Sequence, residues 1–388
     1  MQAPALNADQ QAQLQTTQAL IREQIAQAGG CLPFDVFMEL ALYAPGAGYY
    51  VNGTHKFGVD GDFVTAPEIS PLFSQCLAAQ AGQVLEQLSG GDILEFGAGS
   101  GAMAADVLLQ LERLDQLPKR YLILELSPGL QARQRETLAQ RAPGLLDRVH
   151  WLQGLPEPGW RGVVLANEVL DAMPVHRFRQ GAAGCEELGV HWQDGHFAAR
   201  WQADCSATLQ ARVAELADRL GAFSEGYDSE INLRLDGWLQ ALAQVMGQGA
   251  LILIDYGYSE REYYHPERSG GTLICHYRHR AHADPLQLVG LQDITANVDF
   301  SAVAAAALDA GLSLAGYTTQ AHFLINNGLQ ALLTEASADT HQQVQRLQQV
   351  KQLTLPTTMG ERFKVIGLQK DLELPLQGFV MGDMRAYL

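Results

Sequence analysis

Three glycines at alternate positions, Gly97, Gly99 and Gly101, follow the apolar run Asp92–Phe96 and lead straight into the alanine-rich segment AMAADVLLQLERL. Glycine has no side chain, so such a turn can be tight and its backbone can approach a ligand closely. The amides that open the following helix can donate to bound polar groups. A strand, a glycine turn and a helix in this order make a seat for a nucleoside-containing cofactor. Gly97, Gly99 and Ala102 satisfy the dinucleotide pattern G-x-G-x-x-G/A, so a nicotinamide or flavin cofactor is one reading. Glu95, two residues before the first glycine, points to S-adenosylmethionine (SAM). A carboxylate there faces the cationic aminoacyl end of SAM well and would repel a pyrophosphate. The extra Gly101 gives the turn room to wrap the methionine moiety. A second apolar run, YLILEL, ends in Glu125 with Leu126 beside it. An acid closing the second strand accepts from ribose hydroxyls, in SAM and NAD proteins alike.

These residues need a scaffold that gathers strand ends. From Gly91 onward the runs ILEFG, YLILEL, VHWL and GVVLAN alternate with helical patterns, which predicts a parallel sheet with helices on both faces. Ligands of such sheets bind at the carboxyl ends of the strands, where Glu95, Glu125, Leu152 and Asn167 fall. Residues 177–228 break the alternation. Asp194-Gly195 between two alternating runs predicts a β-hairpin, and a helix follows from about Ser206 to Leu220. The glycine-rich stretch 51–70 reads as an ordered functional loop, packed through Phe57, Phe63 and Val64. The expected organisation is an N-terminal helical and lid region over 1–90, a Rossmann-like core over 91–176 and 247–370, and an inserted α+β cap over 177–246.

The chain has 388 residues, 47% apolar and 18% charged, with a formal charge of -17 from 26 basic and 43 acidic residues. That balance is globular and disfavours a nucleic-acid partner, although Arg177 and Arg179 could form a local basic patch. The five cysteines are scattered, with no zinc spacing, and suit a reducing compartment as small buried hydrophobes. No metal site is expected. There is no signal-peptide pattern and no apolar run near the ~20 residues that span a bilayer, so the expected location is cytoplasmic. Composition leaves the oligomeric state open.

The segments GDFVTAPEIS (61–70), LEFGAGSGAMAADVL (94–108), LELSPGLQARQRETL (124–138), ANEVLDAMPVHRF (166–178) and TLPTTMGERFKVIGL (354–368) resemble the MidA family of SAM-dependent methyltransferases, which includes a mitochondrial complex I assembly factor. The resemblance spans about residues 20–370. Ala98 stands where many members carry proline. It implies a class I methyltransferase fold with a mostly parallel seven-stranded sheet, SAM as cofactor, and a protein substrate. The implied acceptor is an arginine, with a respiratory-complex subunit as one candidate partner. A SAM-binding assembly factor acting by protein contact is the alternative, and a dinucleotide-dependent oxidoreductase a more distant one.

Under that resemblance, Gly97, Gly99 and Gly101 face the methionine and ribose of SAM and Glu125 holds the ribose. Gly154 and Leu155 neighbour the adenine. Asn167 and Glu168 stand where acceptor meets methyl group, and Thr65, Pro67 and Glu68 form a lid. An arginine acceptor keeps its charge at neutral pH, so carboxylates should orient it, and Glu168, Asp171 and Glu68 are the candidates. The spacing of Glu168 and Asp171 places both on one face of a helical turn. Each candidate has an ordinary alternative: capping or dipole compensation for Asp171, and capping for Glu68. His276 and Arg278 rank below them, and Tyr49 and Tyr50 read as packing residues.

Overall fold

The computed structural model describes residues 6–51, 65–334 and 340–388. Most of the expected functional loop, residues 52–64, lies outside the described residues. The central sheet has strands β1 (Asp92–Phe96), β2 (Tyr121–Leu124), β3 (Val149–Leu152), β4 (Trp160–Asn167), β5 (Met246–Tyr258), β6 (Ser313–Thr319) and β7 (Phe363–Lys370). Their order is β6-β7-β5-β4-β1-β2-β3, and Val298–Asp299 adds a short parallel pairing to the end of β5. Strands β3, β2, β1, β4 and β5 run parallel, while β7 is antiparallel to both β5 and β6. This is the class I methyltransferase sheet.

Parallel strands buried on both faces read as continuous apolar runs, and alternate residues feed opposite cores. Ile93, Val163, Leu165 and Ile252 join one core with helices α4 (Pro71–Gln87) and α5 (Ala102–Arg113). Leu94, Val164, Ala166 and Leu251 join the other, with Leu239 and Leu242 of α8 (Leu235–Val245). The switch point lies between β1 and β4, because the chain runs outward through β2 and β3 before returning to β4. The sheet therefore opens a crevice above the glycine turn.

A second, antiparallel sheet is built from His176–Gly181, Gly184–Gln193, His196–Gln202 and Asp228–Ile231. Asp194 and Gly195, both at positive φ (51° and 83°), make its expected two-residue hairpin turn. This unit is not a self-contained insertion. Leu32–Pro33 pair with Gly189 and Val190, and Phe34 and Phe37 of α2 (Phe34–Tyr43) share a core with Val190, Phe197, Cys275 and Ile294. The N-terminal region is divided as well, since α4 packs on the central sheet and α2 on the second. The boundary expected at 246 moves back to before Leu235, because the apolar face of α8 belongs to the central core.

Two further expectations change with the packing. Arg177 and Arg179 do not form a free basic patch, since their Nη2 atoms lie 2.7 and 2.8 Å from opposite oxygens of Asp228. The cysteines are scattered in sequence, yet Cys185 and Cys205 approach to 2.8 Å between sulfurs across the hairpin.

Candidate active site

A cavity of about 890 Å3 opens over the carboxyl ends of β1, β2, β4 and β5. Glu95, Gly97, Gly99, Glu125 and Leu126 line one half. Asn167, Glu168, Asp171, Tyr256, Asp293 and Tyr50 line the other, together with Thr65 and with Pro67 and Glu68 of the short helix α3 (Ala66–Ile69). The fold thus gathers residues that the sequence separates by more than two hundred positions.

In the first half Glu95 is buried, and the Tyr121 hydroxyl donates to its Oε2 at 2.7 Å. Its Oε1 has no hydrogen-bond partner among the described residues. Burial pushes its carboxyl up to about 7, against the Tyr121 hydrogen bond, which favours the charged form. Glu125 accepts from the Ser127 amide at 2.9 Å and from Gln134 Nε2 at 3.1 Å. The same Gln134 amide donates to the Gly99 carbonyl at 3.1 Å, and its oxygen accepts from Trp151. Gln134, on α6 (Pro128–Arg141), thereby ties the end of β2 to the glycine turn.

Gly97 and Gly99 sit at φ of 61° and 53°, in the left-handed region that glycine adopts without strain. Gly101 has a different reason for being glycine. It does not line the cavity. A Cβ at this position would lie 3.0 Å from Gln134 Cα, at a φ of 86°, so it lets the start of α5 pack against α6. Gly154 and Leu155 do not line the cavity either: Gly154 faces open space, and Leu155 packs against the second core. Glu68 accepts from the Ser100 hydroxyl, so it bonds to the glycine turn.

The second half is a nest of acids. Glu168 sits at a φ of 54°, rare for a residue with a side chain, and its amide donates to the Ile254 carbonyl at 2.9 Å. Strain of this kind clusters at functional sites. No helical turn joins Glu168 to Asp171; the segment is a tight bend that brings both into the cavity wall. Burial, then the neighbouring Asp171 charge, pushes the Glu168 carboxyl up to about 8, although Asn167 Nδ2 donates to it at 3.1 Å. Burial also pushes Asp171 up to about 6, opposed by the Tyr256 hydroxyl, which donates to its Oδ2 at 2.5 Å. Among the described residues, Asp171 Oδ1 and Asn167 Oδ1 are buried without hydrogen-bond partners.

Several members of this half escaped the sequence reading. Asp255, fully buried, accepts from the amides of Leu170, Asp171 and Tyr256 at 3.0, 3.1 and 2.9 Å. It follows the run ALILI as Glu95 follows DIL, so the same strand-end signal was there to be read. Asp293 accepts from the Tyr50 hydroxyl at 2.9 Å, and nothing local in the sequence marks it. Tyr50 is therefore part of the cavity wall, stacked on Tyr43 at 5.4 Å between ring centroids, whereas Tyr49 is buried packing. His276 also lines the cavity, whereas Arg278 lies outside it and donates to Gln10.

SAM fits this donor and acceptor set. Glu95 presents a buried, unpaired acceptor where an ammonium is required, and an uncompensated buried carboxylate is costly until a cation meets it. The Glu125 carboxylate stands at the next strand end and lines the same cavity, as an acceptor for hydroxyl groups. The wall adds acidic groups, which favours a cationic sulfonium over a pyrophosphate.

Known proteins agree. Residues 76–318, more than half of the chain, match the model of a family described as S-adenosyl-L-methionine-dependent methyltransferase. The chain is 27% identical to the mitochondrial protein arginine methyltransferase NDUFAF7 of Danio rerio over 92% of this chain and 91% of that protein. With the Mus musculus protein of the same name it shares 29% over 86% and 79%. A Burkholderia thailandensis protein crystallised with S-adenosyl-homocysteine superposes with a TM-score of 0.94 at 43% identity, covering 99% of this chain and all of that one. The dinucleotide reading falls with these matches. So does the expected cytoplasmic location, because the curated relatives are named as mitochondrial proteins. That expectation rested on dispersed thiols, the missing secretory signal pattern and the lack of an apolar span, and none of these distinguishes one reducing compartment from another. Among the described residues no helix is long and apolar enough to cross a membrane. The cavity, the strand-end acids and these matches converge: the chain belongs to the MidA family of SAM-dependent methyltransferases.

Proposed function

We propose that this chain methylates an arginine side chain of a protein. One observation carries the reading: Glu168, Asp171 and Asp293 line the half of the cavity that adjoins the cofactor seat, and Asp171 keeps one buried oxygen unpaired. Two buried acids, Asp171 and Asp293, beside the half-buried Glu168 are unfavourable in one wall unless a cation meets them. A guanidinium is planar, permanently charged and rich in donors, so it suits paired carboxylates better than a neutral acceptor does. The relatives named as arginine methyltransferases support the same choice.

When bound, SAM supplies an electrophilic methyl group on a sulfonium. The chain's own residues align the acceptor and keep water out. Asp171, held by Tyr256, and Glu168, held by Asn167, fix the plane of the guanidinium and aim one nitrogen at the methyl group. As that nitrogen gains a carbon it gives up a proton. Glu168, pushed up to about 8, is the group suited to take it near neutral pH. Glu95 would hold the cofactor's ammonium and Glu125 its ribose, with Thr65, Pro67 and Glu68 lining the same cavity beside them. A respiratory-complex subunit is the first protein target to test, following the family resemblance.

The test is transfer of labelled methyl from SAM to lysate proteins, followed by peptide mapping. Label on arginine supports the proposal, and label confined to lysine or to small molecules overturns it.

A further inference from the structure

The acceptor half rests on a connected strap. Asp255, at the end of β5, accepts three backbone amides and pins the bend that carries Glu168 and Asp171. The next residue, Tyr256, is directed by this strap and by edge-on contact with Phe363 at 5.4 Å. Its hydroxyl reaches back to Asp171 Oδ2 at 2.5 Å, and both residues line the cavity.

Resting on the arginine reading above, we propose that Tyr256 is a positioning residue: its hydroxyl locks one oxygen of Asp171, so that the other, unpaired and buried, is presented in ionised form to the acceptor's guanidinium. The physical reason is the crowding of acids. Asp171 shares its surroundings with Glu168 on the same bend, Asp255 and Tyr256 on β5, Asp293 on the strand Asp293–Thr295, Tyr43 at the end of α2 and Tyr50 beyond it. Burial favours the protonated forms of Glu168, Asp171 and Asp255, and repulsion from neighbouring carboxylates adds to it at Glu168 and Asp255. A protonated Asp171 is a donor on one oxygen and would face the guanidinium's N–H groups badly. The Tyr256 hydrogen bond stabilises the ionised form and selects the rotamer in one step. A residue that served only as packing would be replaced by phenylalanine without consequence for the titration.

The experiment follows the Asp171 carboxyl by 13C NMR across pH in protein saturated with S-adenosyl-homocysteine, with Asp171→Asn to assign the signal. Wild type is expected to titrate near 6. Tyr256→Phe is expected to move the midpoint upward by at least one pH unit, a tenfold change in the ionisation constant. A 3-fluorotyrosine at 256 keeps the shape, donates more strongly and is expected to move the midpoint downward. If neither replacement moves it, the proposal is overturned. Should Tyr256→Phe fail to fold, the fluorotyrosine protein decides alone. Methyl transfer to the peptide Gly-Gly-Arg-Gly-Gly or to the mapped protein, measured in parallel, separates the two claims: absent arginine transfer with a shifted midpoint removes the arginine reading and leaves the Tyr256–Asp171 control standing.

Discussion

Replacing Glu95 by glutamine keeps the shape of a buried side chain and removes its charge. Glu95 Oε1 is partnerless in the cavity wall, and its carboxyl sits near 7 because burial outweighs the Tyr121 hydrogen bond. Pairing with an ammonium restores the charged form, so binding should release a proton. A charge-assisted hydrogen bond to a buried group is worth roughly 1.5–3 kcal/mol. Glu95→Gln should therefore weaken S-adenosyl-homocysteine, which carries the same ammonium, by about 10- to 150-fold at 1.4 kcal/mol per decade. The sign of the pH dependence follows. The free carboxyl is half ionised at pH 7 and about one-tenth ionised at pH 6, so wild-type affinity should rise roughly five-fold between them. Above pH 8 the ligand's own amine loses its proton and the gain should end. Calorimetry in two buffers of different ionisation enthalpy measures affinity and proton release together. Wild-type affinity in Glu95→Gln, or an affinity that is flat or falling from pH 6 to 7 in the parent protein, would refute the placement of Glu95 against the ammonium.

The other predictions concern the walls of the same cavity. Glu168 ionises near 8 in the folded protein and at an ordinary 4.5 when exposed. Between those values the native state holds a proton that the unfolded chain has lost, so this group lowers stability as pH rises through that window. In urea unfolding without ligand, Glu168→Gln should be more stable than wild type at pH 8, by on the order of a few kcal/mol, with the two converging below pH 5. Methyl transfer by the same variant should fall at least about 100-fold, as expected when a general base is lost. Gly101→Ala forces a Cβ to 3.0 Å from Gln134 Cα at a φ of 86° and should destabilise the protein by about 1–3 kcal/mol in urea. Equal stability would show that α5 and α6 can part without cost. Gln134→Ala removes the amide that joins Glu125 to the Gly99 carbonyl. It should raise the dissociation constant for S-adenosyl-homocysteine by about 10-fold, the loss of one well-placed hydrogen bond, and an unchanged constant in calorimetry would contradict its bridging role.

The half of the cavity that Glu95, Gly97, Gly99 and Glu125 line was readable in the chain because its residues are set locally. Glu95, Gly97 and Gly99 are joined by one strand and one turn, and the periodicity that makes β1 and β2 also assigns Glu95 and Glu125 to strand ends. The acceptor half was readable only in part. Asn167 and Glu168 end β4 in the same local way, but the expected helical spacing of Glu168 and Asp171 gave way to a strained bend held by Asp255. Gly101 shows the converse. Its position in the glycine run suggested a ligand, whereas its reason is the close passage of a helix that begins 27 residues later.

By itself, then, the sequence determined the sheet-and-helix alternation, the glycine turn, the strand-end acids and the hairpin at Asp194-Gly195, because each follows from side-chain periodicity or backbone freedom within a dozen residues. Only the tertiary structure decided that Leu32 pairs with Val190, that Tyr50 holds Asp293 and Tyr256 holds Asp171, and that Arg177 and Arg179 spend their charge on Asp228. Those contacts depend on how buried apolar faces stack, and a buried carboxyl's partner is whichever donor that packing delivers to it.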